Sequence, residues 1–171
     1  YIDNDAFLEN GTEVGTLAKN LFGSYIDIEF QGDNLKQMVE DTKKAIKENT
    51  LCNITEASFV YDNNFCSVDI LKKKKDTYEI YEVKSSTEVK DVYIEDASYQ
   101  YYVLTKLGYD VKKVCIVHIN NHYVRGKELD IHKLFKTEDI TLLAKEKFTE
   151  IAKNIKEIKE YMEEEEEREE P

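Results

Sequence analysis

Residues 65–84 read FCSVDILKKKKDTYEIYEVK. Two apolar-rich segments flank a polar lysine turn, with Asp69 in the first and Glu82 and Lys84 in the second. Side chains along a strand alternate with period two, so Glu82 and Lys84 share one face and Val83 takes the other. Folded as an antiparallel hairpin about Lys75 and Asp76, the stretch sets Asp69 within a residue or two of Glu82 across the ladder. Two carboxylates and a lysine are thereby expected to converge on one face.

On the N-terminal side, Cys52 to Tyr61 alternates like a strand, with Ile54, Glu56 and Ser58 expected on one face and Ala57, Phe59 and Tyr61 on the other. Asp62, Asn63 and Asn64 form the turn that feeds it into the hairpin. Glu56 is then either a third carboxylate beside Asp69 and Glu82 or a solvent-facing residue. On the C-terminal side, Ser85 to Thr87 is a polar loop, followed by a helix from about Asp91, its expected N-cap, to Leu107, with Gly108 as the stop. Ala97, Gln100, Tyr101 and Leu104 share a stripe of that helix. Gln100 either satisfies a backbone group or reaches the hairpin face, since a buried amide needs a partner. Val111 to Ile119 is a nearly unbroken apolar run, an internal strand, and the strand, helix, strand order places it parallel to the strand of Glu82.

Farther out, Phe7, Leu8, Val14, Leu17, Ala18, Leu21 and Phe22 give a helical stripe over residues 5–22 that Gly23 ends. Tyr25 to Phe30 reads as a short exposed strand, and Leu35 to Lys47 as a second helix. After Ile119, Asn120, Asn121 and Gly126 punctuate short extended pieces. A long amphipathic helix begins at Asp139, with Ile140, Leu143, Ala144, Phe148, Ile151, Ile155, Ile158 and Met162 on its stripe. The expected division is a domain over residues 1–138, the long helix over 139–162, packed on it or on a neighbour, and an acidic tail over 163–171.

The chain has 171 residues, enough for one core with an appendage, and carries a net charge of −12. Broad nucleic-acid affinity is driven by Lys and Arg, so any such site here must be local and helped by cations. Half of the net charge lies in Glu163 to Glu170, expected to be a solvated, partly frayed block. The three cysteines, Cys52, Cys66 and Cys115, lack a C-x-x-C pair and read as reduced thiols. No apolar run approaches the roughly 18 residues of a membrane span. A soluble, cytoplasmic protein is expected, and the initial Tyr1 suggests a segment of a longer polypeptide.

Glu-x-Lys occurs three times, at Glu82, Glu88 and Glu157, but only the first ends an apolar strand, follows an acid on the neighbouring strand and precedes a helix bearing an amide. Mg²⁺ or Mn²⁺ takes oxygen ligands, commonly one or two carboxylates with water and phosphate, which this set supplies. Lys84 beside them could orient water, assist its deprotonation or stabilise the transition state. The bland alternative is a surface hairpin whose lysine merely pairs with its acids. His118 and His122 span a turn and do not read as a ligand pair. Tyr93, Tyr99, Tyr101 and Tyr102 serve either as core or as stacking platforms for unpaired bases, and Lys72 to Lys75 either as a charged turn or as phosphate contacts.

The order of these pieces, with VDIL, YEVKSSTEVKD, DASYQYYVLTKLG and VHINNHYVRG, resembles the PD-(D/E)XK nucleases, and within them a RecB-like exonuclease branch related to the CRISPR adaptation exonucleases. The likeness runs from about Gly11 to Thr141. It implies an α/β fold with a restriction-endonuclease-like core, a central mixed sheet flanked by helices, plus the long C-terminal helix. It further implies a metal-dependent deoxyribonuclease, exonuclease-like, acting on single-stranded DNA or duplex ends. Asp69 and Glu82 would be metal ligands for Mg²⁺ or Mn²⁺, joined by the backbone carbonyl of Val83, with Glu56 as the upstream acid. Lys84 would be the catalytic lysine and Gln100 the helix amide. The chain departs from the pattern at Val68 in place of proline, at Leu104 in place of an aromatic, at Gly15 where relatives bear a histidine four residues after a glycine, and in lacking a four-cysteine cluster. A nuclease-like module that binds nucleic acid or assembles without turnover is the alternative.

Overall fold

The computed structural model describes residues 11–169; Phe7 and Leu8 of the first helical stripe lie outside them. Six strands form one mixed sheet in chain order: β1 (Ile26–Asp27), β2 (Leu51–Tyr61), β3 (Asn64–Lys74), β4 (Thr77–Val83), β5 (Asp110–Ile119) and β6 (Phe135–Asp139). Among the described residues five helices accompany it: α1 (Gly11–Ala18), α2 (Leu35–Glu48), α3 (Asp91–Lys106), α4 (Ile131–Leu134) and α5 (Thr141–Glu169). The fold is the expected α/β architecture, a mixed sheet flanked by helices with a long C-terminal helix. Among the described residues no helix is long and apolar enough to cross a membrane.

The β2–β3–β4 meander is antiparallel, and β4 and β5 pair in parallel with α3 as their crossover. Asp62 and Asn63 both take positive φ, 48° and 66°, as a two-residue hairpin with the twist of its strands requires. At the far end of α3, Gly108 at φ 94° lets the Tyr109 N–H return to the Leu104 carbonyl at 3.0 Å. Asp91 proves to be the first helical residue rather than the N-cap, which is Lys90 with no side-chain cap bond. Its carboxylate still faces the positive end of the helix dipole.

One face of the sheet packs Ile54, Phe59, Val68, Leu71 and Ile80 against Met38, Ala97, Leu104 and Ile151 of α2, α3 and α5. The other packs Ile70, Tyr81, Cys115 and Val117 against Val14 and Ala18 of α1 and Leu134 of α4. The two strands before the site break the period-two rule together. On β2, Ile54 shares its cluster with Ala57 and Phe59, and on β3 Leu71 shares it with Val68 and Cys66. The expected grouping of Ile54 with Glu56 and Ser58 is therefore corrected. Glu56 stands at φ 57°, a left-handed conformation that costs a non-glycine residue about 1–2 kcal/mol. Because both strands change parity between the pairs Ile54↔Leu71 and Ala57↔Val68, their register is kept.

Four further expectations are adjusted. The Tyr25 to Phe30 stretch pairs only through Ile26 and Asp27. Helix α1 ends at Ala18, and turns carry the chain on to Gly23 at φ 91°. Residues 131–139, between the short extended pieces and the long helix, form α4 and the edge strand β6, antiparallel to β5. Helix α5 continues past the expected boundary at Glu163 through Glu169, with Glu163, Glu164, Glu166 and Glu167 exposed, in keeping with the high helix propensity of Glu. Helix α5 begins against β5, where Ile140 N–H donates to the Val114 carbonyl at 2.8 Å. It crosses α3 through Phe148, whose ring meets Tyr101 and Tyr102. Beyond Ile155 its stripe is bare, with Ile158 and Met162 exposed.

Candidate active site

The paired part of the β3–β4 ladder ends at Ile70↔Tyr81. One step further, where Asp69 and Glu82 would pair, the Asp69 carboxylate instead accepts the Val83 N–H at 2.7 Å and adjoins the Glu82 carboxylate. The parity change on β3 turns Asp69 and Ile70 to the same side, and both line a cavity of about 300 Å³ under α1 with Gly11, Thr12, Gly15, Thr16, Lys19, Glu56 and Val83. Glu82 opens to the other side, into a hollow of about 270 Å³ against α3 lined by Cys66, Ser67, Asp96, Tyr99 and Gln100. The two acids thus meet at the point where the strands part, each with its own opening. The single-face convergence expected of the hairpin is replaced by this two-sided arrangement.

Glu82 is buried, 7% exposed. Gln100 Nε2 donates to its Oε2, so the amide does reach the hairpin. Burial, with the hydrogen bond and charge of Asp69, pushes the Glu82 carboxyl well above the usual carboxylate range; Lys84 and Gln100 pull against this without cancelling it. Two adjoining carboxylates cannot both ionise cheaply in such a setting. Gln100 Oε1 and Ser98 Oγ are buried without a hydrogen-bond partner, leaving Gln100 an acceptor ready for a donor at the site.

Lys84 follows β4 directly, its N–H bonded to the Val117 carbonyl at 2.8 Å. Its Nζ donates to Asp96 Oδ2 at 3.0 Å and stands 4.9 Å from the centre of the Tyr93 ring. Burial alone would lower its pKa, but the Asp96 hydrogen bond and the charges of Glu82, Asp96 and Asp69 outweigh it and hold the lysine above its ordinary value. The Asp96 contact thus favours the charged ammonium form of Lys84.

Glu56 lines the α1-side cavity with Asp69, and Ser67 Oγ donates to its Oε2 at 3.3 Å. Burial and the Asp69 charge raise its pKa. Among the described residues no three His, Cys, Asp or Glu side chains gather as a metal-holding group. Of the expected residues, Asp69 and Glu82 adjoin each other, and Asp69, Val83 and Glu56 line the α1-side cavity.

Comparison with protein-family models, with curated proteins and with solved structures finds no match. The chemistry of the site therefore rests on its geometry. Two of its residues went unnoticed in the sequence. Asp96 lies four residues before Gln100, one helical turn, and that spacing was the available signal. Lys19 lies four residues after Gly15; it lines the cavity and pairs with Asp27 at 3.0 Å, which in turn accepts from Thr55.

The remaining candidates are otherwise engaged. His118 is buried with its ring nitrogens near the Ile119 carbonyl and Glu138, and His122 lies in an exposed turn. Of the hairpin lysines, Lys73 donates to the Asn49 carbonyl at 2.6 Å, Lys72 covers the Phe22 ring and Lys74 faces Glu79. Tyr102 is core, while Tyr99 donates from its hydroxyl to the Phe65 carbonyl at 3.2 Å. All three thiols are free.

Proposed function

We propose that this chain is a divalent-cation-dependent deoxyribonuclease of the PD-(D/E)XK kind, acting in the cytoplasm in an exonuclease-like manner on single-stranded DNA or duplex ends. One observation carries the reading: a buried Glu82, held by Gln100, adjoins Asp69 at the end of the strand ladder with the charged Lys84 beside them. Such a pair of acids is costly without a partner cation, and it offers only oxygen donors. That chemistry fits Mg²⁺ or Mn²⁺. Asp69, Glu82 and the Val83 carbonyl would hold the ion, with Glu56 contributing from the α1-side cavity. When bound, it supplies Lewis-acid stabilisation of phosphoryl charge and makes water more acidic.

The chain's own residues account for the rest. Gln100 fixes the orientation of Glu82, and Lys84 offers a fixed positive charge to phosphoryl oxygens as charge builds on them. The α1-side cavity, bordered by Gly11 and Gly15, gives access to Asp69. In hydrolysis, a water oxygen bonds to phosphorus while one ester P–O bond breaks and the departing oxygen takes up a proton. The free thiols agree with a reducing compartment. The test is cleavage of single- and double-stranded DNA with Mn²⁺ by wild type and Asp69→Ala. Loss of cleavage in the variant supports the reading; activity without a divalent ion, or untouched by the substitution, sinks it.

The second reading is a nuclease-like fold that binds nucleic acid or assembles without turnover. It is favoured by Gly15, where a side chain would meet nothing within 4 Å and none is present to contribute to the site. Titration calorimetry with Mn²⁺ separates the two: heat that disappears in Asp69→Ala belongs to the first, and a wild type that takes up no Mn²⁺ belongs to the second.

A further inference from the structure

Helix α3 turns one stripe toward the end of β4. Tyr93, Asp96 and Gln100 are spaced by three and four residues, so they stack along one face. Gln100 takes Glu82, and Asp96 and Tyr93 take Lys84. A lysine side chain has four rotatable bonds and no preferred heading of its own. Lys84 stands just past the strand, beside two carboxylates that would each attract its ammonium. A lysine collapsed onto Asp69 or Glu82 would neutralise the oxygens that a cation needs.

We propose that Asp96 is a positioning residue: with the Tyr93 ring it holds the Lys84 ammonium at the rim of the site and off the Asp69–Glu82 pair. Its consequence for turnover rests on the nuclease reading; its consequence for Lys84 does not. The Asp96 side chain is 48% exposed and that of Lys84 24%, so the contact adds little to fold stability and a purely structural role would be nearly silent. Misplacement of a catalytic group by about 1 Å can cost about 100-fold in rate.

The experiment has two arms. In Mn²⁺-dependent cleavage of an end-labelled oligonucleotide, Asp96→Asn lowers kcat about 10- to 100-fold and leaves KM within about twofold. Asp96→Glu recovers part of the loss, and Asp96→Asn has no further effect in a Lys84→Ala background. In the second arm, NMR relaxation of the Lys84 ammonium finds it ordered in wild type and mobile in Asp96→Asn. Full kcat in Asp96→Asn, or an equal loss in the Lys84→Ala background, overturns the catalytic consequence. An ammonium equally ordered with and without the Asp96 charge overturns the clamp itself. An inactive wild type would defeat the nuclease reading alone, and the relaxation arm would still decide the clamp.

Discussion

The two sides of the site are built differently. On the α3 side, Glu82 is buried and Lys84 half-buried beside a hollow, and each has a named partner in Gln100 or Asp96. On the α1 side, Asp69 and Glu56 line a cavity bordered by two glycines, and the backbone at Glu56 is held in a left-handed conformation. The contrast separates two tasks. On the α3 side, side-chain partners fix the charges in place, and on the α1 side the acids face a glycine-bordered cavity.

Substitutions on the partnered side should have the largest effects. Lys84→Ala is expected to lower kcat by at least about 100-fold with the fold intact, measured by steady-state cleavage and circular dichroism. Glu82→Gln should likewise abolish cleavage, yet stabilise the cation-free protein. The sign follows from the direction of the Glu82 shift. A carboxyl whose folded pKa is raised contributes stability that is present in full below its unfolded value and is lost as pH rises through the folded one. The melting temperature of Glu82→Gln should therefore exceed that of wild type at alkaline pH and the gap should close toward pH 4. Each 1 kcal/mol amounts to about 2–4 °C at this chain length. Calorimetry that finds the gap widest in acid would contradict the buried pair.

The open side should show smaller effects that act through the backbone. Glu56→Gly should be more stable than Glu56→Ala by about 1 kcal/mol, because both remove the carboxylate but only glycine relieves the positive φ. Gly15→Ala should gain about 0.5–1 kcal/mol in urea unfolding, since the added Cβ meets nothing within 4 Å of a helical position. A loss at Gly15 would mean that the cavity is tighter than it stands.

Much of the frame was legible in the sequence. Alternation and turn residues located the β3–β4 hairpin, and the apolar run from Val111 with Gly108 before it located the parallel strand and the end of α3. Gln100 was legible because its place on a buried stripe demanded a partner. The parity change at Glu56 was not, because the pairs on either side of it stay in one register and only the Glu56–Asp69 pair between them drops out of the ladder. Strand β6 was missed for another reason. It lies at the sheet edge, where the segment FKTED buries only Phe135 and so shows no alternation. The Lys84–Asp96 pair depends on how α3 is rotated over β4, which sequence spacing narrows to one helical stripe but does not choose.

The central claim is that Asp69 and Glu82, meeting where β3 and β4 part, form a cation site. Anomalous diffraction from crystals soaked in Mn²⁺ tests it most directly. The account predicts a manganese peak contacted by both carboxylates and by the Val83 carbonyl, absent from crystals of Asp69→Ala. A Mn²⁺-soaked crystal with no peak between the two acids would contradict it.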